Sequence, residues 1–137
     1  MTQNVSPQEA LIYVMVTLSA ADASMSDSEL RGIGDVVRTL PAFRKFNHDD
    51  ILLVAQAASR ILAGEDGLER MLNTVADALP AKLHDTAYAM AVEVAASDLN
   101  VNQEELRFLQ MLRDRLGLDK LTIAAIERSA QARYRTL

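Results

Sequence analysis

Cysteine and tryptophan are absent from these 137 residues, and glycine (5), proline (3) and aromatics (3 Phe, 3 Tyr) are scarce. Each shortage removes a class of protein. Without cysteine there are no disulfides, no zinc–thiolate centres and no cysteine nucleophile. A reducing compartment fits, and a cytoplasmic location is expected. So little glycine and proline leaves few of the turns that a many-stranded protein needs. So few aromatics mean a core built from Ala, Leu, Val, Ile and Met, which suits closely packed helices. No basic region precedes the first apolar run, so no secretory signal is expected. The longest apolar stretch, residues 11–21, contains Thr17 and Ser19. It falls short of the roughly 18–20 residues of a membrane span, so direct membrane insertion is not expected.

Positive charge is also in short supply. Fourteen Lys and Arg stand against 19 Asp and Glu, a net charge of −5. The balance is uneven: residues 1–112 carry 8 basic and 16 acidic side chains, residues 113–137 carry 6 and 3. Phosphate neutralisation needs clustered Lys and Arg, so nucleic acid is not an expected partner. The basic C-terminal stretch reads first as a solvated helix face, and second as a surface for an acidic partner or a membrane.

What remains is hydrophobic: half of all residues. A chain of this length buries roughly 68–70% of its unfolded surface, and one domain over residues 1–137 is expected. Helical signals follow one another along it. Ser6, Pro7 and Glu9 form a cap, a first helical position and the third position of a capping box. Ser26 with Glu29 repeats that signal, and the helix it opens must end before Pro41. Asn47 with Asp50 predicts a third helix, with Gly64 as its left-handed stop. A fourth is expected over about 66–79 and a fifth over about 81–96. Asn102 with Glu105 opens a sixth that Gly117 stops, and Asp119 begins a seventh. No segment alternates with period two, so the expected fold is all-α, a bundle of about seven helices.

One eleven-residue pattern occurs twice. Residues 20–30 read AADASMSDSEL and residues 96–106 read ASDLNVNQEEL, offset by 76 positions without a gap. Asp22 falls on Asp98, Glu29 on Glu105 and Leu30 on Leu106. An internal repeat of about 8–39 and 84–115 is expected, with pseudo-two-fold symmetry. Capping alone explains the two glutamates, since Glu at the third helical position bonds the cap's N–H. The aspartates resist that explanation. Each sits at the negative end of a helix, at a cost of roughly 0.3–1 kcal/mol that something must offset. Candidates are a cation, a basic side chain or N–H groups of the loop.

The spacing suits a hard cation. Asp22, Ser24 and Ser26 stand at loop positions 1, 3 and 5, with Glu29 at 8; the second copy offers Asp98, Asn100, Asn102 and Glu105. Alternating oxygens of this kind wrap Ca²⁺ or Mg²⁺. A softer ion such as Zn²⁺ is disfavoured, because cysteine is absent and both histidines lie elsewhere. The second copy is richer in carbonyl oxygen and is the stronger expected site.

Two copies of an A-x-D-x-x-hydrophobic-[S/N]-x-x-E-L turn in a helical chain of this length resemble the tellurite resistance protein TerB family, over about residues 8–118. The domain is also similar to the N-terminal region of some DnaJ-like membrane co-chaperones. The resemblance implies a helical bundle whose acidic turns, here Asp22, Glu29, Asp98 and Glu105, hold metal. It also implies protein partners in membrane-associated stress-response complexes. Where the family usually has glycine after each aspartate, this chain has Ala23 and Leu99.

Glu93, inside the apolar run AMAVEVAA, is either exposed or an inward carboxylate near Asp98. His48 and His84 are expected at the surface or in caps. Neither a Ser–His–Asp spacing nor an HExxH motif occurs. The expected function is therefore a non-enzymatic binding module. A metal-free protein adaptor is the alternative, and a carboxylate-dependent metallo-hydrolase the competitor from another class. Four carboxylates around a sizeable cleft favour the hydrolase; two shallow turns favour the adaptor.

Overall fold

Local side-chain chemistry starts the first helix where the sequence says it should. In the computed structural model, which describes residues 4–19, 26–97 and 101–137, the Glu9 N–H donates to the Ser6 hydroxyl (3.1 Å). The Ser6 N–H donates to the Glu9 carboxylate in return (2.9 Å). Among the described residues seven α-helices follow in order: α1 (Pro7–Ser19), α2 (Asp27–Thr39), α3 (Ile51–Ala63), α4 (Gly67–Ala78), α5 (His84–Ser97), α6 (Gln103–Leu116) and α7 (Lys120–Arg133). Short 3-10 turns at Pro41–Phe43, His48–Asp50 and Ala81–Leu83 connect them. The protein is all-helical, with no strand among the described residues. No described helix is long and apolar enough to cross a membrane.

α1 is the spine. Every residue from Ala10 to Leu18 is buried, as a helix enclosed by others must be. It packs against α3, α4 and α5 and, over a smaller area, α2. Side chains such as Leu11, Ile12 and Met15 lose all exposure, each contributing roughly 1.5–3 kcal/mol. Thr17 is the polar intruder. Its hydroxyl donates to the Tyr13 carbonyl one turn back (2.7 Å), so it needs no partner from another helix.

α6 lies against α5 and α4, and α7 against α5. Tyr88 of α5 donates to Glu127 of α7 (2.5 Å), which also accepts from Arg113 of α6 (3.3 Å). Burial and the Glu127 carboxylate push the Tyr88 phenol up to about 12. His84, expected at the surface or in a cap, is half-buried. Its ring nitrogens lie 3.3 Å from the Leu116 carbonyl and 3.2 Å from the Leu79 carbonyl, at the last turns of α6 and α4.

Two starts and one stop differ from expectation. Asn47 does not cap an α-helix. It accepts from the Asp49 N–H two residues on (3.0 Å), which closes a 3-10 turn, and α3 begins only at Ile51. The fifth helix likewise opens with a 3-10 turn and becomes α-helical at His84. Gly64 is extended (φ −79°, ψ 174°) rather than left-handed. Asp66 takes the left-handed conformation instead (φ 52°). The glycine this turn depends on is Gly67, where a Cβ would stand 2.3 Å from the Leu62 carbonyl oxygen. Gly117 behaves as read: left-handed (φ 66°), with the Leu118 N–H donating back to the Arg113 carbonyl.

Gly67→Ala is expected to destabilise the protein by about 1–3 kcal/mol, because backbone must shift to admit the methyl. Gly32→Ala, in the open interior of α2 with nothing within 4 Å, should stabilise by about 0.5–1 kcal/mol. Urea unfolding midpoints of both variants check the contrast.

Candidate functional site: an acidic cleft between two capped turns

α2 and α6 begin alike. At α2 the Glu29 N–H donates to the Ser26 hydroxyl (3.2 Å), and the Ser26 N–H donates to Glu29 Oε1 (3.2 Å). At α6 the Glu105 N–H donates to Asn102 Oδ1 (2.8 Å), and the Asn102 N–H donates to Glu105 Oε1 (3.2 Å). Both capping boxes are closed. The two helices start at residues 27 and 103, separated by the 76 positions of the repeated pattern. The acidic first turns also sit against the positive helix ends. Capping is thus a real role of Glu29 and Glu105, whatever else they do.

The turns are not equivalent in burial. Ser26 is exposed and Glu29 partly so, whereas Glu105 is only 5% exposed. Asp22, Ser24, Asp98 and Asn100, the remaining predicted oxygens, lie outside the described residues, as do Ala23 and Leu99.

Packing of α1 on α5 brings the two starts together. Glu29 and Glu105 line one cleft of about 710 Å³, with Glu93 from α5 and Asp35 from α2 beside them. Ser19, Ser26 and Ser97 add hydroxyls to the wall. Asp98, the expected neighbour of an inward Glu93, lies outside the described residues. Glu93 is partly buried: its side chain is 24% exposed and lines this cleft. It is not alone there. Arg133, from the end of α7, donates to both Glu93 oxygens (2.6 and 3.0 Å). The Tyr134 phenol is raised first by its hydrogen bond to Glu93 and then by burial. Asp35 pairs with Arg38 on the exposed side of α2 (3.2 Å). Among the described residues, no three carboxylates or histidines converge closely enough to hold a metal ion by themselves.

The sequence matches the family described as tellurite resistance protein TerB over residues 8–129. The chain belongs to the TerB family. No curated protein and no solved structure matches it individually. Family membership makes the chain a tellurite-resistance-type module, and the matched span contains both acidic turns. Arg133 and Tyr134, which reach Glu93, lie beyond that span. Sequence reasoning missed them because α7 has no counterpart in the repeated pattern, and a Tyr flanked by two Arg carries no spacing signal for a contact 40 residues away.

Removing either cap tests the local half of this TerB site. Ser26→Ala and Asn102→Ala should each destabilise by about 0.5–2 kcal/mol. Asn102→Ala should cost more, because it strips the acceptor from the Glu105 N–H in a turn whose glutamate is nearly buried. Equal denaturant midpoints for wild type and both variants would contradict the assignment.

Proposed function

We propose that this TerB protein is a non-enzymatic module of tellurite resistance and stress response, binding a divalent cation in the acidic cleft and, through it, a protein partner. The observation that carries this reading is that Glu29, Glu93 and Glu105, from three helices, line one cleft. Three carboxylates in one cavity repel one another, and Arg133 offsets the charge of Glu93. Glu29 uses Oε1 for its cap, and its second oxygen has no bond among the described residues. In the sequence Asp98, Asn100 and Asn102 precede Glu105 and Asp22 precedes Glu29, so the same reading assigns them as further ligands.

These donors are all oxygen, which fits Ca²⁺ or Mg²⁺ better than Zn²⁺. A bound divalent ion would supply ordering, stabilising the arrangement of helix end and helix start by mass action. The cleft residues supply the rest. The capping boxes hold the Glu29 and Glu105 carboxylates in place before any ion arrives, and Arg133 keeps Glu93 neutralised in its absence. Partners in a membrane-associated complex and a cytoplasmic location belong to the same proposal, and rest on likeness to the family.

The shared cleft is also the feature that favours a metallo-hydrolase. Against it stands the bonding of the carboxylates. Glu29 and Glu105 are tied to helix N–H groups and Glu93 to a guanidinium, which leaves each poorly placed to accept a proton as a general base. Cation-dependent cleavage of simple phosphate esters, lost in Glu93→Gln, would support the hydrolase instead.

Thermal melts decide the cation reading. Millimolar Ca²⁺ or Mg²⁺ should raise the Tm of wild-type protein over that in chelator. Asp98→Asn should lose more of that rise than Asp22→Asn, because the second turn contributes amide oxygens where the first contributes hydroxyls. Identical wild-type melts in chelator and in both cations would leave only the metal-free adaptor.

A further inference from the structure

α6 and α7 each pack on α5 yet scarcely touch one another. They are joined through Gly117 and pinned at that end by Arg113 and Tyr88 on Glu127. Between them lies a groove of about 640 Å³ floored by Val92, Ala95 and Ala96 of α5 and walled by Leu106 and Leu109 of α6. Two of its apolar side chains are open to water, Val101 (40% exposed) and Leu106 (46%). Leu30, which occupies the place of Leu106 in the first copy of the repeated pattern, packs against the core. The repeat therefore leaves one leucine unpartnered, and it is the one facing this groove.

The lips of the groove say what fits there. On the α7 side Gln131 and Arg135 line the edge, with Arg128 beside them by helical register; on the α6 side Gln110 lines it, with Arg107 beside it by register. Arg107, Arg128 and Arg135 have no ion pair among the described residues, in contrast to Arg38, Arg113, Arg115 and Arg133. Glu127, the carboxylate lining the groove, is already neutralised by Arg113. An apolar floor between two arginine edges, on a chain that is otherwise acidic, is complementary to apolar residues flanked by acids. The α6 wall from Leu106 to Arg113 is about 10 Å long at 1.5 Å per residue, room for about two turns of a helix.

We infer that this groove is a docking site for an amphipathic helix of a partner protein, with an apolar stripe at i, i+4 and i+7 and Glu or Asp along both flanks. Anchors on one face of a helix entering an apolar trough give affinity, and the charged edges set orientation and exclude basic helices. Helix α2 of a second copy, though acidic, is a poor occupant, since it already buries its apolar face, Ile33 and Val37, in the core. The site adjoins the acidic cleft, sharing Tyr134 with it, and needs no cation.

Fluorescence anisotropy with the full chain in chelator tests this. The probe is a labelled helical peptide of about 14 residues with Leu on one stripe and Glu on both flanks. Two controls replace Glu by Lys or Leu by Ser. The acidic probe should bind at least about tenfold tighter than either control. Leu106→Asp should weaken it by about tenfold or more, and Arg128→Glu with Arg135→Glu should shift preference toward the Lys peptide. Leu106 is exposed, so its variant should fold, which an unchanged circular dichroism spectrum and Tm verify. In the labelled protein, amide shifts on titration should centre on Val101, Leu106, Gln110 and Gln131. Absence of binding, equal binding of Glu and Lys peptides, or indifference to Leu106→Asp overturns the inference. So do shifts confined to the acidic cleft, Leu106-dependent self-association without peptide, or Arg-dependent binding to anionic vesicles in place of peptide.

Discussion

The packing of α1 against α5 is the constraint on which the rest depends. α1 has no solvent face: every residue from Ala10 to Leu18 is buried, so the other helices must wrap it. α5 supplies a flank of small residues, Ala87, Ala91 and Ala95, all buried, which leaves room for close approach. Each of these helices is followed by a copy of the repeated acidic pattern. Once they are packed together, the helix starts that follow line one cleft, which carboxylates of two distant segments share. A bulky substitution at that seam would part the turns as well as loosen the core.

Fixed donors govern what the cleft can do. Two of its glutamates are held by N–H groups at helix starts and the third by a guanidinium. Such carboxylates are positioned and partly neutralised before any ligand is present, which suits binding and ordering better than proton transfer. α7 takes part in both surfaces of interest. Its Arg133 and Tyr134 engage Glu93 at the cleft, while Tyr134 and Arg135 also line the apolar groove. The groove itself exists because α6 and α7 share a floor without sharing an interface.

Much of the fold was legible because its signals are local. Ser6, Ser26, Asn102 and Asp119 cap helices through bonds that span three residues, and a reader of the chain sees donor and acceptor together. Gly117 could be read for the same reason. Asn47 misled because the same amide can bond two residues on instead of three, and both choices look alike in sequence. Gly67 was overlooked because its need is a close approach to Leu62, a contact made by the turn rather than announced by it. At the site, the equivalence of Glu29 and Glu105 was readable from the gap-free repeat. Their presence in a common cleft was not, since nothing in the repeat says how α1 meets α5. Arg133 on Glu93 and the groove beside Leu106 are long-range facts of the same kind.

The central claim is that the two turns serve one cleft. A double-mutant cycle with Glu29→Gln and Glu105→Gln tests it most directly, since Gln at the third helical position retains the capping box. Calorimetric titration of metal-free wild type, both single variants and the double variant with Ca²⁺ would give four affinities. A shared cleft predicts that each substitution weakens binding and that the two are coupled by more than about 0.5 kcal/mol. Strictly additive losses would place the glutamates in separate sites, and four equal affinities would remove both from cation binding.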